Sequence, residues 1–157
     1  MKNKSRKSIK TLIEEYAKQI SLPGETAEEF LRAHSLVEKV KPFEVVDVFV
    51  DNYLDDTERM IYPNFCFFGE EYHAQASNEK EKSNEEQREI FVLSVKEGLQ
   101  KVSIQNAERY DFKRASSLSR ITIAFYLKSG ESFFLNACGI NCDILMRVYA
   151  NTLSRLL

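Results

Sequence analysis

The sequence contains no tryptophan, and only five glycines, three prolines, three cysteines and two histidines among its 157 residues. Cys66, Cys138 and Cys142 are an odd number in apolar surroundings, which argues against a disulfide framework and fits a reducing compartment. No phosphate-binding glycine loop and no placed nucleophile–base pair is present, and His34 and His73 are the only imidazoles. An excess of one charge is also missing: 22 basic and 24 acidic side chains leave a formal net charge of -2. Without a global field to draw in nucleic acid or an anionic membrane, any such binding needs a local patch, and no nucleic-acid partner is expected. Long apolar runs are absent too, so no segment is long enough to span a bilayer. Lys2, Lys4, Arg6, Lys7 and Lys10 resemble the basic start of a signal peptide, but Lys10, Glu14, Glu15 and Lys18 interrupt the apolar stretch that should follow. The expectation is a cytoplasmic protein, neither exported by that route nor integral to a membrane.

At this length one chain can bury roughly two-thirds of its unfolded surface, enough for a self-sufficient core. Ile9, Leu12, Ile13, Tyr16, Ala17 and Ile20 form one stripe of a helix over 8–20, which Leu22-Pro23-Gly24 ends. Thr26 precedes Glu29 by three residues, a capping-box spacing that predicts a second helix over 27–40 ahead of Pro42. His34 sits beside the apolar face of this helix as a boundary residue. Residues 43–50 predict a first strand with Val46, Val48 and Val50 inward, because Asp47 would be costly on the core side. Strands are predicted over 60–68, with Pro63 implying an edge or bulge, and over 71–77, 90–95 and 101–106, the last extendable to 112. The segment 65–73 gathers aromatics, two carboxylates, Cys66 and His73, yet seven positions and a turn separate that cysteine from that histidine. A buried aromatic strand followed by a polar turn explains it without a metal. Residues 78–89 contain nothing apolar and predict a solvated loop.

The chain ends in an alternating stretch at 119–128, a turn at Ser129-Gly130-Glu131, a strand over 132–137 and an amphipathic helix over 141–157. Asn141 reads as its N-cap and Asp143 as a first-turn acid; Ile144, Leu145, Val148, Tyr149, Leu153 and Leu156 form its stripe. Cys138 and Cys142 lack a second pair of ligands and read as small, buried side chains rather than a zinc site. Before this ending, Lys113, Arg114, Ser116 and Arg120 fall in a polar connection, the one concentrated basic patch outside the N-terminal tail. Guanidinium groups and hydroxyls there suit an anion such as a phosphate, although wet connections are often of this composition.

The fold class expected is α+β: an N-terminal helical hairpin, about seven antiparallel strands and a C-terminal helix. From residue 43 onward this order resembles the pleckstrin-homology-like fold, in particular its small bacterial and GRAM-type versions. Phe91-Val-Leu-Ser-Val-Lys-Glu-Gly-Leu-Gln-Lys-Val-Ser-Ile104 is similar to the family's strand, short turn and strand, and residues 121–135 are similar to its last hairpin. The resemblance implies a partly open barrel sealed at one end by the final helix. It divides the chain into a basic tail with a two-helix arm over 1–41 and a pleckstrin-homology-like domain over 42–157. The family's phosphoinositide binders carry basic residues between the first two strands. Here that connection holds Asp51, Asp55, Asp56 and Glu58 against Arg59, so the resemblance implies the fold without its best-known ligand.

The leading expectation is a non-enzymatic interaction domain that holds a protein or peptide partner and needs no cofactor or metal. A second is binding of an anionic ligand or lipid surface through residues 113–120. A third is a small-molecule enzyme of a cone-shaped α+β fold, with Asp47, Tyr72 or His73 as acid–base groups; such folds generally end on strands, whereas this chain ends on a helix. Homo-oligomerisation stays open.

Overall fold

The structure, a computed structural model, describes residues 7–51, 64–77, 89–108 and 119–150. Helix α1 (Ile9–Ile20) starts where the Ser8 Oγ accepts the Thr11 backbone N–H at 3.1 Å, and it ends at Ser21 in a left-handed conformation. Its predicted stripe turns Ile13, Tyr16 and Ile20 into the core. Helix α2 (Gly24–Val40) begins earlier than its capping-box spacing predicts. Pro23 is the N-cap, held at φ -60° by its ring, and its carbonyl accepts the Ala27 N–H at 3.0 Å. Thr26 and Glu29 therefore lie inside the helix, on its buried side, instead of flanking its start.

Strands β1 (Asp47–Asp51), β2 (Asn64–Phe68), β3 (Tyr72–Ala76) and β4 (Ile90–Ser94) form a first antiparallel sheet in that order. The register aligns Val48, Phe67 and Ala74 in one row and Val50, Phe65 and Ala76 in another, all on one face. Against that face α2 lays Phe30, stacked on Phe65 at 4.7 Å and edge-on to Phe67 at 5.3 Å, while the alanines leave room for the helix. The opposite face carries Asp47, Phe68, His73 and Leu93 in one row and Phe49, Cys66, Gln75 and Phe91 in the next.

All five residues of β1 are buried, which corrects the expected alternation. Val46 precedes the strand and is 36% exposed, and Asp47 is the buried residue. Covered on both faces, β1 has no solvent side to which a polar residue can be sent. The Arg147 guanidinium stands 3.7 Å from the Asp47 carboxylate and compensates it in part.

One helical turn, α3 (Val95–Gly98), leads into β5 (Leu99–Glu108), which pairs with β6 (Arg120–Leu127) and then β7 (Ser132–Cys138) in a second antiparallel sheet. Here the predicted alternation holds: Ile121, Ile123, Phe125, Leu127, Leu135 and Ala137 are buried toward the first sheet. Gly130 closes the β6–β7 hairpin at φ 97°, a conformation that strains any residue with a Cβ. Helix α4 (Asn141–Val148) packs on β7 and β1 and so bridges the outer strands of both sheets. Its N-cap is Ile140; Asn141 is already helical and its side chain turns into the core, contrary to the capping role expected of it.

The element order is the α+β order predicted, with the helical pair sharing one hydrophobic core with the strands. The tail cations Lys2, Lys4 and Arg6, the connection 52–63, the loop 78–88, the segment 109–118 and residues 151–157 lie outside the described residues. No described helix is long and apolar enough to cross a membrane.

Candidate functional site: the cleft between the sheets

The two sheets meet tightly along one side. The Tyr16 hydroxyl accepts the Val50 N–H at 2.9 Å and donates to the Asn141 Oδ1 at 2.6 Å, and the Asn141 Nδ2 donates to the Val50 carbonyl at 3.1 Å. Both backbone groups that Val50 turns away from β2 are thereby satisfied by side chains of α1 and α4. One residue on, the Asp51 carboxylate accepts the Asn136 N–H of β7 at 2.7 Å. The β1 and β7 edges are thus tied to each other at Val50 and Asp51.

The opening is at the other side. A cleft of about 660 Å³ lies between the first sheet and the β6–β7 hairpin. Asn64, Gln75, Ser77, Glu89 and Phe91 line it from the first sheet, and Leu127, Gly130, Glu131, Ser132 and Phe133 from the hairpin. Phe91 meets Phe133 edge-on at 5.6 Å, and this pair forms an apolar floor. Hydroxyls, amides and two carboxylates supply the rim. Beside it runs β4, the outer strand of its sheet, on which Ile90, Phe91, Val92, Leu93 and Ser94 are all half-buried.

His73 lies behind the floor. Its ring is parallel to Phe133 at 5.5 Å and to Phe125 at 5.9 Å, with Phe68 on its other flank at 4.6 Å. The Gln75 Nε2 lies 3.0 Å from the His73 Nε2. As that amide is oriented it can only donate, which puts the ring proton on Nδ1. That atom is buried with no hydrogen-bond partner. Burial pushes the imidazole down to about 3; the Phe67 backbone favours the charged form by a smaller amount, without hydrogen-bonding geometry to Nδ1. A ring so neutral and enclosed is a packing element, not a proton shuttle at neutral pH.

The other candidates are scattered. Asp47 lies in a separate notch of about 380 Å³ with Lys7, Glu15 and Arg147, where burial raises its carboxyl above the ordinary value against the opposing pull of Arg147. The charges there compensate one another, Lys7 with Glu15 at 2.8 Å and Arg147 with Asp47 at 3.7 Å. Tyr72 packs on Phe43 at 5.7 Å, under the Lys41 ammonium. Among the described residues, neither cavity is lined by two of Asp47, Tyr72 and His73. His34, expected at a boundary, is instead buried at 8% exposure beside Phe67, its imidazole lowered by burial and raised by Glu38, 4.0 Å away.

Of the basic patch, Lys113, Arg114 and Ser116 lie outside the described residues. Arg120 opens β6, exposed, and its guanidinium donates to the Ser119 carbonyl at 2.9 Å. Burial raises the thiols of Cys66 and Cys142, the latter to about 12, so both are inert side chains. Among the described residues no three His, Cys, Asp or Glu side chains converge to hold a metal ion.

The cleft itself was not predicted. Its residues come from four separate stretches of sequence, brought together only by strand register and by the turn at Gly130. Comparison with protein-family models, curated proteins and solved structures finds no match to this chain.

Proposed function

We propose that this chain is a non-enzymatic, cytoplasmic binding domain of the pleckstrin-homology-like type, which holds a protein or peptide segment in the cleft between its sheets and along the adjoining β4 edge. The observation that carries it is the pairing of a large, half-apolar cleft with an outer strand whose Ile90, Phe91, Val92 and Leu93 are only half-buried. An outer strand offers backbone N–H and C=O groups to an added strand, and a neighbouring pocket selects its side chains. The contrast with β1 supports the choice, since there the edge is occupied by Tyr16 and Asn141. Strands in a four-plus-three arrangement before a helix that bridges both sheets support the family. Scattered acid–base candidates favour binding over catalysis, and buried, unpaired Cys66 and Cys142 favour a reducing compartment.

The test is to pan a random peptide library against the whole chain and to map the backbone amide shifts caused by enriched peptides. Micromolar binding with shifts at Gln75, Ser77, Glu89 to Leu93 and Gly130 to Phe133 is the expected result. Enriched peptides that shift only the α1–α2 surface, or no enrichment at all, would overturn it.

A further inference from the structure

Among the described residues the charge on the cleft is one-sided. Glu89 enters from the start of β4 and Glu131 from the hairpin turn, both exposed, and among the described residues no cation pairs with either carboxylate. No lysine, arginine or histidine lines the cleft among those residues. The neutral groups between the two acids are mainly acceptors or can serve as such. Gln75 commits its Nε2 to His73, which leaves its Oε1 for the cleft, and Asn64 and Ser132 each bring an oxygen, while the Ser77 hydroxyl is taken up by the Glu89 backbone. Beneath them Phe91 and Phe133 present aromatic surface.

We infer that the cleft recognises a basic side chain, arginine ahead of lysine, on the peptide segment proposed above, and the inference rests on that reading. The aliphatic stem of such a residue covers the apolar floor while its head stays at the wet rim. A guanidinium stacks on an aromatic ring and gives five donors in a plane, matching acceptors spread over both lips; an ammonium offers three donors from a single point. An acidic segment would set like charges against Glu89 and Glu131, and a purely apolar one would cover the Gln75 and Asn64 amides without bonding them.

The probe is a random library of about 12-residue peptides panned on the wild-type chain and on the double variant Glu89→Gln, Glu131→Gln. Both positions are exposed, so the variant keeps its fold, which its melting temperature checks. Expected are basic residues enriched on the wild type only, with the best basic peptide binding the double variant about tenfold more weakly at low salt. That gap closes as salt is raised. Peptides that map to the cleft without basic residues, or that bind both proteins equally, would overturn the inference and leave the proposed function standing. No enriched peptide at all would remove both.

Discussion

His73 is the residue whose environment departs most from what its chemistry prefers. Phe68, Phe91, Phe125 and Phe133 surround an imidazole held down to about 3 by burial, with Nδ1 unpartnered. The unfolded chain takes up a proton there near pH 6.5, the folded chain only near 3. Stability is therefore at its plateau above pH 6.5 and falls as the pH drops from there toward 3, by about 2 kcal/mol between pH 7 and pH 5. His34, lowered mainly by burial, acts in the same direction, while Asp47, raised by burial, acts oppositely at lower pH. Urea unfolding at the two pH values should show His73→Phe losing most of this slope while matching the wild type at pH 7, since phenylalanine keeps the stack and removes an orphan donor. An unchanged slope would mean that the ring is already solvated. In the sequence His73 is visible only as a histidine after an aromatic strand. The partners that explain it lie on β6 and β7, about fifty and sixty residues onward, and no local pattern announces them.

At the level of elements, legibility follows how many faces an element buries. Helix α1 and strands β6 and β7 each bury one face, so their periodicity predicts them nearly to the residue. Strand β1 buries both faces and an edge as well, so Val48 and Val50 turn inward as its pattern predicts while Asp47, Phe49 and Asp51, which the pattern sends outward, are buried too. Helix α2 starts at a proline that carries no capping side chain. Asn141, a natural N-cap by residue type, is drawn inward because the Val50 backbone and the Tyr16 hydroxyl need partners in a dry interface. That demand predicts the cost of breaking it. Tyr16→Phe leaves the Val50 N–H and the Asn141 Oδ1 buried without this partner and should lower stability by about 1–3 kcal/mol. In a thermal melt this corresponds to about 2–4 °C per kcal/mol for a chain of this size. Parity with the wild type would show that water reaches the junction.

For the molecule as a whole, the question is whether residues 42–157 stand without the helices before them. The sequence divides the chain there, because the resemblance begins at 43 and the helical pair lies outside it. The face of the first sheet that meets the helices bears Val48, Val50, Phe65, Phe67, Ala74 and Ala76, each at most 2% exposed. Phe30 stacks on Phe65 and meets Phe67 and Tyr16 edge-on, the latter at 6.1 Å, while Ile13, Tyr16, Phe30, Ala33 and Val37 belong to the same core as the strands. Removing residues 1–41 would uncover that whole face at roughly 25 cal/mol for each Å² of apolar surface and take away the hydroxyl that caps Val50. A net stability of about 5–15 kcal/mol does not survive such a loss. The fragment 42–157 should therefore be aggregation-prone or molten, with poorly dispersed amide resonances and no cooperative melt, and recovery should follow when residues 1–41 are supplied as a separate peptide. A fragment that melts cooperatively near the full-length temperature would instead make the helical pair an appendage. The cleft argues for the same test from its own side: its floor residue Phe91 is on β4, a strand packed against α2, so the peptide binding proposed for it should be lost together with the fold and restored together with it.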